Sequence, residues 1–205
     1  MLGAHGLFTK GPMMYEEVTN VPFIVRLPGG PEGVASEALV SQIDLLPTFL
    51  DFAGIEQPES LHGQSLRPVL EDPDTKVHDH IFISFNRFAI NHDQFGAFYP
   101  IRSVCDGRFK LAINLLDRDE LYDLAADPYE TNNLIDDPAH AEIRNRLHEL
   151  IVEEMDRIRD PFRAFEWANR PWNQIREPFY WGGQNRTPPK GFPFEPEVLS
   201  GPYSR

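Results

Sequence analysis

The sequence holds one cysteine, Cys105. A single thiol excludes an internal disulfide and any multi-cysteine zinc site. Its setting, Arg102-Ser-Val-Cys-Asp-Gly107, is a strand-then-turn pattern, so the thiol reads as buried and inert. No apolar run approaches the roughly 20 residues that a membrane helix needs. No basic stretch followed by an apolar run opens the chain, so no secretion signal is expected in these residues. Positive charge is also scarce: 19 Lys and Arg stand against 32 Asp and Glu, for a net charge of −13. That balance argues against nucleic acid and anionic membrane as partners and serves solubility. It singles out neither the cytoplasm nor the periplasm.

What is present divides into three stretches. Residues 1–20 are rich in glycine and lack apolar periodicity, so they read as loop. Val21-Pro-Phe-Ile-Val-Arg26, ended by Leu27-Pro-Gly-Gly-Pro31, reads as a buried strand, which needs neighbours on both sides. Asp44 stands where an N-cap is expected. Leu46, Phe49, Leu50 and Ala53 then form the apolar face of a helix that Gly54 stops. From residue 78 the pattern changes to short strands at Ile81–Phe85, Ile101–Val104, Arg108–Ile113 and Glu120–Leu124, with Asp106-Gly107 as a hairpin turn. Asp136-Asp-Pro138 opens a helix whose Ile143, Leu147, Leu150, Ile151, Met155 and Ile158 keep helical spacing, a core stripe that packs on the sheet. Residues 161–205 hold all three tryptophans and many prolines, and read as an extended arm over this or a neighbouring subunit. The expected organisation is thus 1–77, the end of an α/β domain; 78–160, a small antiparallel sheet with a helix; and 161–205, the arm, which is the candidate surface for homo-oligomer formation.

The motifs carry a resemblance. Gly3-Ala-His-Gly-Leu-Phe-Thr-Lys-Gly11, Gln42-Ile-Asp-Leu-Leu-Pro-Thr48, His62-Gly-Gln-Ser-Leu66, Phe109-Lys-Leu111, Asp119-Glu-Leu-Tyr-Asp-Leu124 and Asp127-Pro-Tyr-Glu-Thr-Asn-Asn-Leu134 occur in an order that resembles the C-terminal third of a type I, formylglycine-dependent sulfatase. Each is weak alone, and the order makes the signal. Residues 85–104 and 158–172 resemble a narrower group of bacterial sulfatases. The resemblance implies an alkaline phosphatase-like fold: a large α/β domain, present here only as its last strand and helix, and a C-terminal domain of antiparallel strands and a helix. It implies hydrolysis of a sulfate ester on a sulfated small molecule or sugar. A phosphonate or phosphate monoester hydrolase shares the fold, and a non-catalytic binding module is the alternative from another class.

The resemblance also says what to seek. Family members use a formylglycine made within Cys/Ser-x-Pro/Ala-x-Arg, with Ca2+ holding the sulfate. Here Cys105 is followed by Asp-Gly-Arg108, which lacks the proline or alanine and the spacing. The metal ligands and nucleophile are therefore expected upstream of Met1, with none bound by this chain alone. Lys10 matches the family lysine that touches the sulfate and its bridging oxygen. A fixed ammonium there would stabilise the charge that grows as the S–O bond breaks. His5 is a candidate proton donor to the leaving group. Asn86, Arg87, His92 and Arg102 are candidates for gripping the organic part of the substrate, because arginine forks onto carboxylate or sulfate. The other reading gives these four to strand ends and loops. His62, His78, His80, His140 and His148 read as surface or structural.

Overall fold

A computed structural model describes residues 1–86 and 99–173. Four strands form an antiparallel meander in the order β1 (Ile81–Phe85), β2 (Ile101–Cys105), β3 (Phe109–Asn114), β4 (Glu120–Asp123). The turn between β2 and β3 follows from its residues. Asp106 Oδ1 accepts the backbone N–H groups of Arg108 at 3.0 Å and Phe109 at 2.7 Å. Gly107, at φ 91°, takes the left-handed conformation the turn requires. This sets the register Val104↔Leu111 and Arg102↔Ile113.

Alternation along the strands gives the sheet two dissimilar faces. Phe82, Val104, Leu111, Ile113 and Leu121 meet α4 (Ala141–Arg157) through Leu147, Ile151 and Met155, which recur at i, i+4 and i+8. Each of these side chains contributes roughly 1.5–3 kcal/mol on burial. The start of α4 is local chemistry: Asp137 accepts the Ala139 N–H at 2.9 Å, and a 3-10 turn over Pro138–His140 leads in. On the opposite face Ile83, Phe85, Ile101 and Ala112 pack against Met14, so the N-terminal segment covers the sheet there.

The N-terminal half departs from the sequence expectations in three places. Val21–Arg26 is not a strand, and Ile24 is 92% exposed. A parallel strand exists only through its neighbours, and no described strand lies beside this one. The helix after Asp44 is present as α2 (Leu45–Phe52), following the short α1 (Glu16–Thr19). Its expected apolar face is open, with Leu46 50% and Phe49 64% exposed, while Pro47 and Thr48 are buried. Asp44 does not cap α2 through its side chain. It ends a preceding 3-10 turn, Gln42–Asp44, and accepts the Ser41 N–H at 2.7 Å. Gly54 does stop α2: it sits at φ 66°, with Ile55 N–H on Leu50 O at 2.9 Å and Gly54 N–H on Asp51 O at 3.0 Å. The next segment, with α3 (Arg67–Glu71), closes on α2 through Leu66 N–H to Thr48 Oγ1 at 2.8 Å. Gly63 is required there, because a side-chain carbon would run into the Ile43 carbonyl.

The expected arm also begins differently. The chain turns back after Asp160 into α5 (Phe165–Ala168), and Trp167 is fully buried among Leu147, Ile151 and Met155. Residues 162–172 thus complete the sheet-and-helix core. The rest of the expected arm, 174–205, lies outside the described residues.

Candidate functional site

The N-terminal segment is tied to the sheet by a run of consecutive residues. Met14 is buried in the apolar face of the sheet. Tyr15 donates its hydroxyl to Glu120 Oε1 at 2.9 Å, which also receives the Tyr122 hydroxyl at 3.2 Å. The Glu16 N–H donates to Glu130 Oε2 at 2.6 Å. Lys110 Nζ lies 2.7 Å from both Glu16 Oε1 and Glu130 Oε1. β3 places Lys110 on this face by alternation, and its side chain is 2% exposed. Glu130 comes from the turn after β4 and stands at φ 50°, a left-handed position where a β-carbon is strained.

Burial governs the acids and phenols of this cluster. Desolvation pushes the Glu120 and Glu130 carboxyls above the ordinary range, with Lys110 opposing it at Glu130. Burial, then the Glu120 charge, pushes the Tyr15 hydroxyl up to about 12. The Tyr122 hydroxyl is raised further by the same two causes. None of these phenols is an acid at neutral pH; they are hydrogen-bond donors that hold the segment.

Just upstream, Gly11 is buried while Lys10 is exposed, with no ion pair or hydrogen bond to any described residue. Lys10 lines an open groove of roughly 1190 Å³ that Phe23, Ile43, Phe85, Arg102 and Met155 also line. His5 is elsewhere on this segment. Its ring stacks on Tyr15 at 3.7 Å and 6°, and Nε2 lies 3.6 Å from Glu17 Oε2. His5 does not line the groove, and its backbone is left-handed at φ 51°.

The four expected substrate contacts divide. Asn86 is exposed just after β1, and its carbonyl accepts the Tyr99 N–H at 3.1 Å. Arg87 and His92 lie outside the described residues. Arg102 reaches the groove with its guanidinium committed internally, which favours the other reading of these four residues, as partners of strand ends and loops. Nε and Nη2 meet Asp160 at 2.5 and 2.9 Å, and Nη1 donates to the carbonyls of Ile101 at 2.9 Å and Phe85 at 3.2 Å. Phe162 and Trp167 flank it at 5.4 and 5.5 Å. The sequence reading passed over Lys110 and Glu130. The signal was available: a lysine inside the apolar run Phe109-Lys-Leu-Ala-Ile113 needs a buried acid as partner.

Residues 3–157 match the C-terminal family of N-sulphoglucosamine sulphohydrolase. The chain belongs to that family. It is 42% identical over 192 residues to the uncharacterized sulfatase YidJ of Escherichia coli K12, covering 94% of this chain and 37% of that protein. It is 36% identical over 165 residues to an N-acetylglucosamine-6-O-sulfatase of Bacteroides thetaiotaomicron, covering 78% of this chain and 29% of the relative. Among solved structures it is similar to BT4656 in complex with its substrate D-glucosamine-2-N,6-O-disulfate. The TM-score there is 0.70 at 33% identity, over 79% of this chain and 33% of that one. The alkaline phosphatase-like fold expected from the motifs is the fold of such sulfatase structures. The chain spans about a third of the length of the relatives it matches.

The calcium and the formylglycine that the family implies do not fit the described residues of this sulfatase-family chain. The one described cluster with metal-ligand spacing is His5, Glu17 and Glu130, whose ligand atoms lie within 4.8 Å of one another. Calcium takes six to eight oxygens. Two carboxylates and an imidazole fall short, and Glu130 is already held by Lys110 and the Glu16 N–H. Cys105 is buried, burial raises its thiol pKa, and its sulfur accepts the Gly107 N–H at 3.4 Å. Among the described residues no helix is long and apolar enough to cross a membrane.

Proposed function

We propose that this chain is the C-terminal part of a sulfuric ester hydrolase whose substrate is a sulfated amino sugar, and that Lys10 faces the sulfate. One observation carries the reading: within a family of sulfatase C-terminal regions, Lys10 lines the groove as an exposed cation with no ion pair or hydrogen bond to a described residue. The sugar class rests on two relatives, one named for N-acetylglucosamine 6-sulfate and one bound to a glucosamine disulfate. Nucleophile and calcium belong to residues outside those described.

Within this chain the chemistry is electrostatic. Lys10 brings a full positive charge to the oxygen on which negative charge develops as the S–O bond breaks. Such a donor is worth about 3 kcal/mol when fixed in place. His5, held by Tyr15 and Glu17, and Asn86, exposed after β1, lie outside the groove lining, so a proton donated to the leaving group and a contact with the sugar belong to them only where the remainder of the enzyme extends the site to their side.

The test is turnover of a 6-O-sulfated glucosamine and of an aryl sulfate by the enzyme carrying this chain, with and without Lys10→Ala. A loss of about a hundredfold or more in kcat on both substrates is expected. Near-normal turnover would sink the assignment of Lys10. Preference for a phosphonate monoester over both sulfates would replace the sulfatase reading by the hydrolase that shares the fold.

A further inference from the structure

The proposed function assigns no role to one of the deeply buried ion pairs among the described residues. Lys110 and Glu130, 2% and 1% exposed, form an ion pair on the sheet face that carries the N-terminal segment. A buried pair of this kind adds little net stability over apolar residues of the same volume. Its geometry, however, is selective. Glu130 uses one oxygen for Lys110 and the other for the Glu16 N–H, and Lys110 uses a second contact for the Glu16 carboxylate. Both members therefore converge on a single residue, Glu16, which follows directly on the buried Met14 and the Tyr15–Glu120 bond. Between this anchor and Lys10 the chain has little freedom: Pro12 fixes its own φ, Gly11 is buried, and the Met13 N–H closes on Gly11 O at 2.9 Å.

We infer that Lys110 and Glu130 are positioning residues: through Glu16 they hold the Lys10 segment in register on the sheet, so that the C-terminal subdomain sets where the Lys10 ammonium stands in the groove. The inference rests on the catalytic reading of Lys10. The unusual backbone of Glu130 fits this role. A left-handed φ of 50° is retained at a non-glycine residue where the surrounding structure holds it, and here the turn aims the carboxylate at the segment. The arrangement also explains why the pair lies away from the groove, since neither residue lines it.

Two measurements on Glu130→Gln test this, because the variant keeps the shape and removes the charge. Amide exchange in the chain as it stands should accelerate over residues 13–19, above all at Glu16, while β3 and α4 keep their protection. In the enzyme carrying this chain, Glu130→Gln should lower kcat about tenfold when Lys10 is present, since small misplacements remote from the chemistry cost that much or more. In a Lys10→Ala background the same change should cost less than about twofold, because residues acting through one group are non-additive. Equal losses in both backgrounds would overturn the inference, and so would exchange that rises evenly through α4, since either marks a fold-wide role. If Lys10→Ala alone leaves turnover intact, the catalytic reading of Lys10 fails, and the exchange data still decide whether the pair holds the segment. Tyr15→Phe, which releases one tether without stranding a charge, covers the case in which Glu130→Gln does not fold. It should accelerate exchange over the same residues, and unchanged exchange there would count against the tether.

Discussion

Asp44 accepts the Nε2–H of His78 at 2.9 Å, joining residues 34 apart in sequence across the irregular segment after α2. The carboxylate is fully buried and also receives the N–H groups of Ser41 at 2.7 Å and Gln64 at 2.9 Å. It is the centre on which the 3-10 turn, the loop through Gly63 and the entry to β1 meet. Asp44→Ala should therefore cost about 3 kcal/mol, with Asp44→Asn costing less, measured by urea unfolding. A loss under about 1 kcal/mol would mean that water replaces these bonds without penalty.

Arg102 and Asp160 form the second buried relationship, 6% and 2% exposed. Removing one partner leaves the other charge buried alone, so Asp160→Ala should destabilise by about 3–5 kcal/mol. Arg102→Lys should also destabilise, because an ammonium cannot fork onto both oxygens and the two carbonyls at once. A stable Arg102→Ala protein with only a raised KM would return Arg102 to the substrate site.

His148 gives the molecule a pH dependence. It is 2% exposed, donates Nε2–H to the Trp167 carbonyl at 2.6 Å, and accepts from the Asn173 amide through Nδ1 at 3.1 Å. Burial holds its pKa below the ordinary histidine value. Below about 6.5 the unfolded chain binds a proton that the folded chain refuses. Stability should therefore be full above that value and fall as the pH falls through it toward the folded pKa. Glu120 and Glu130, with raised pKa values, act in the opposite direction at lower pH. The difference in melting temperature between wild type and His148→Gln, taken at pH 7.5 and 5.5, isolates the histidine, and an unchanged difference would exclude it.

Trp167 closes the core between α4 and the sheet, and its Nε1–H donates to the Phe162 carbonyl at 2.8 Å. Trp167→Ala should cost about 3–5 kcal/mol, the range for emptying a large aromatic site. Thermal unfolding of the variant checks it, and a small loss would show that the stretch after Asp160 is dispensable for the core.

The sheet and α4 were legible from the residues because their signals are local. Asp106-Gly107, Asp136-Asp-Pro138 and Gly54 each specify a turn or a helix end within a few residues. The alternation in Arg108–Ile113 and the spacing from Ile143 to Met155 specify which faces are apolar. Of the site, Lys10 was legible only through the ordered motifs around it. Its tethers were not, since Tyr15–Glu120 and Glu16–Glu130 span 105 and 114 residues.

By itself, then, the sequence determined the four strands, the long helix, their turns and the sulfatase-family motifs, because these rest on backbone geometry and neighbours three or four positions away. Only the tertiary structure decided that Val21–Arg26 is no strand, that Arg102 is committed to Asp160, that Trp167 enters the core, and that Lys110 and Glu130 converge on Glu16. Strand pairing and buried charge pairing are properties of residues brought together from far apart, and no local pattern encodes which partner will be there.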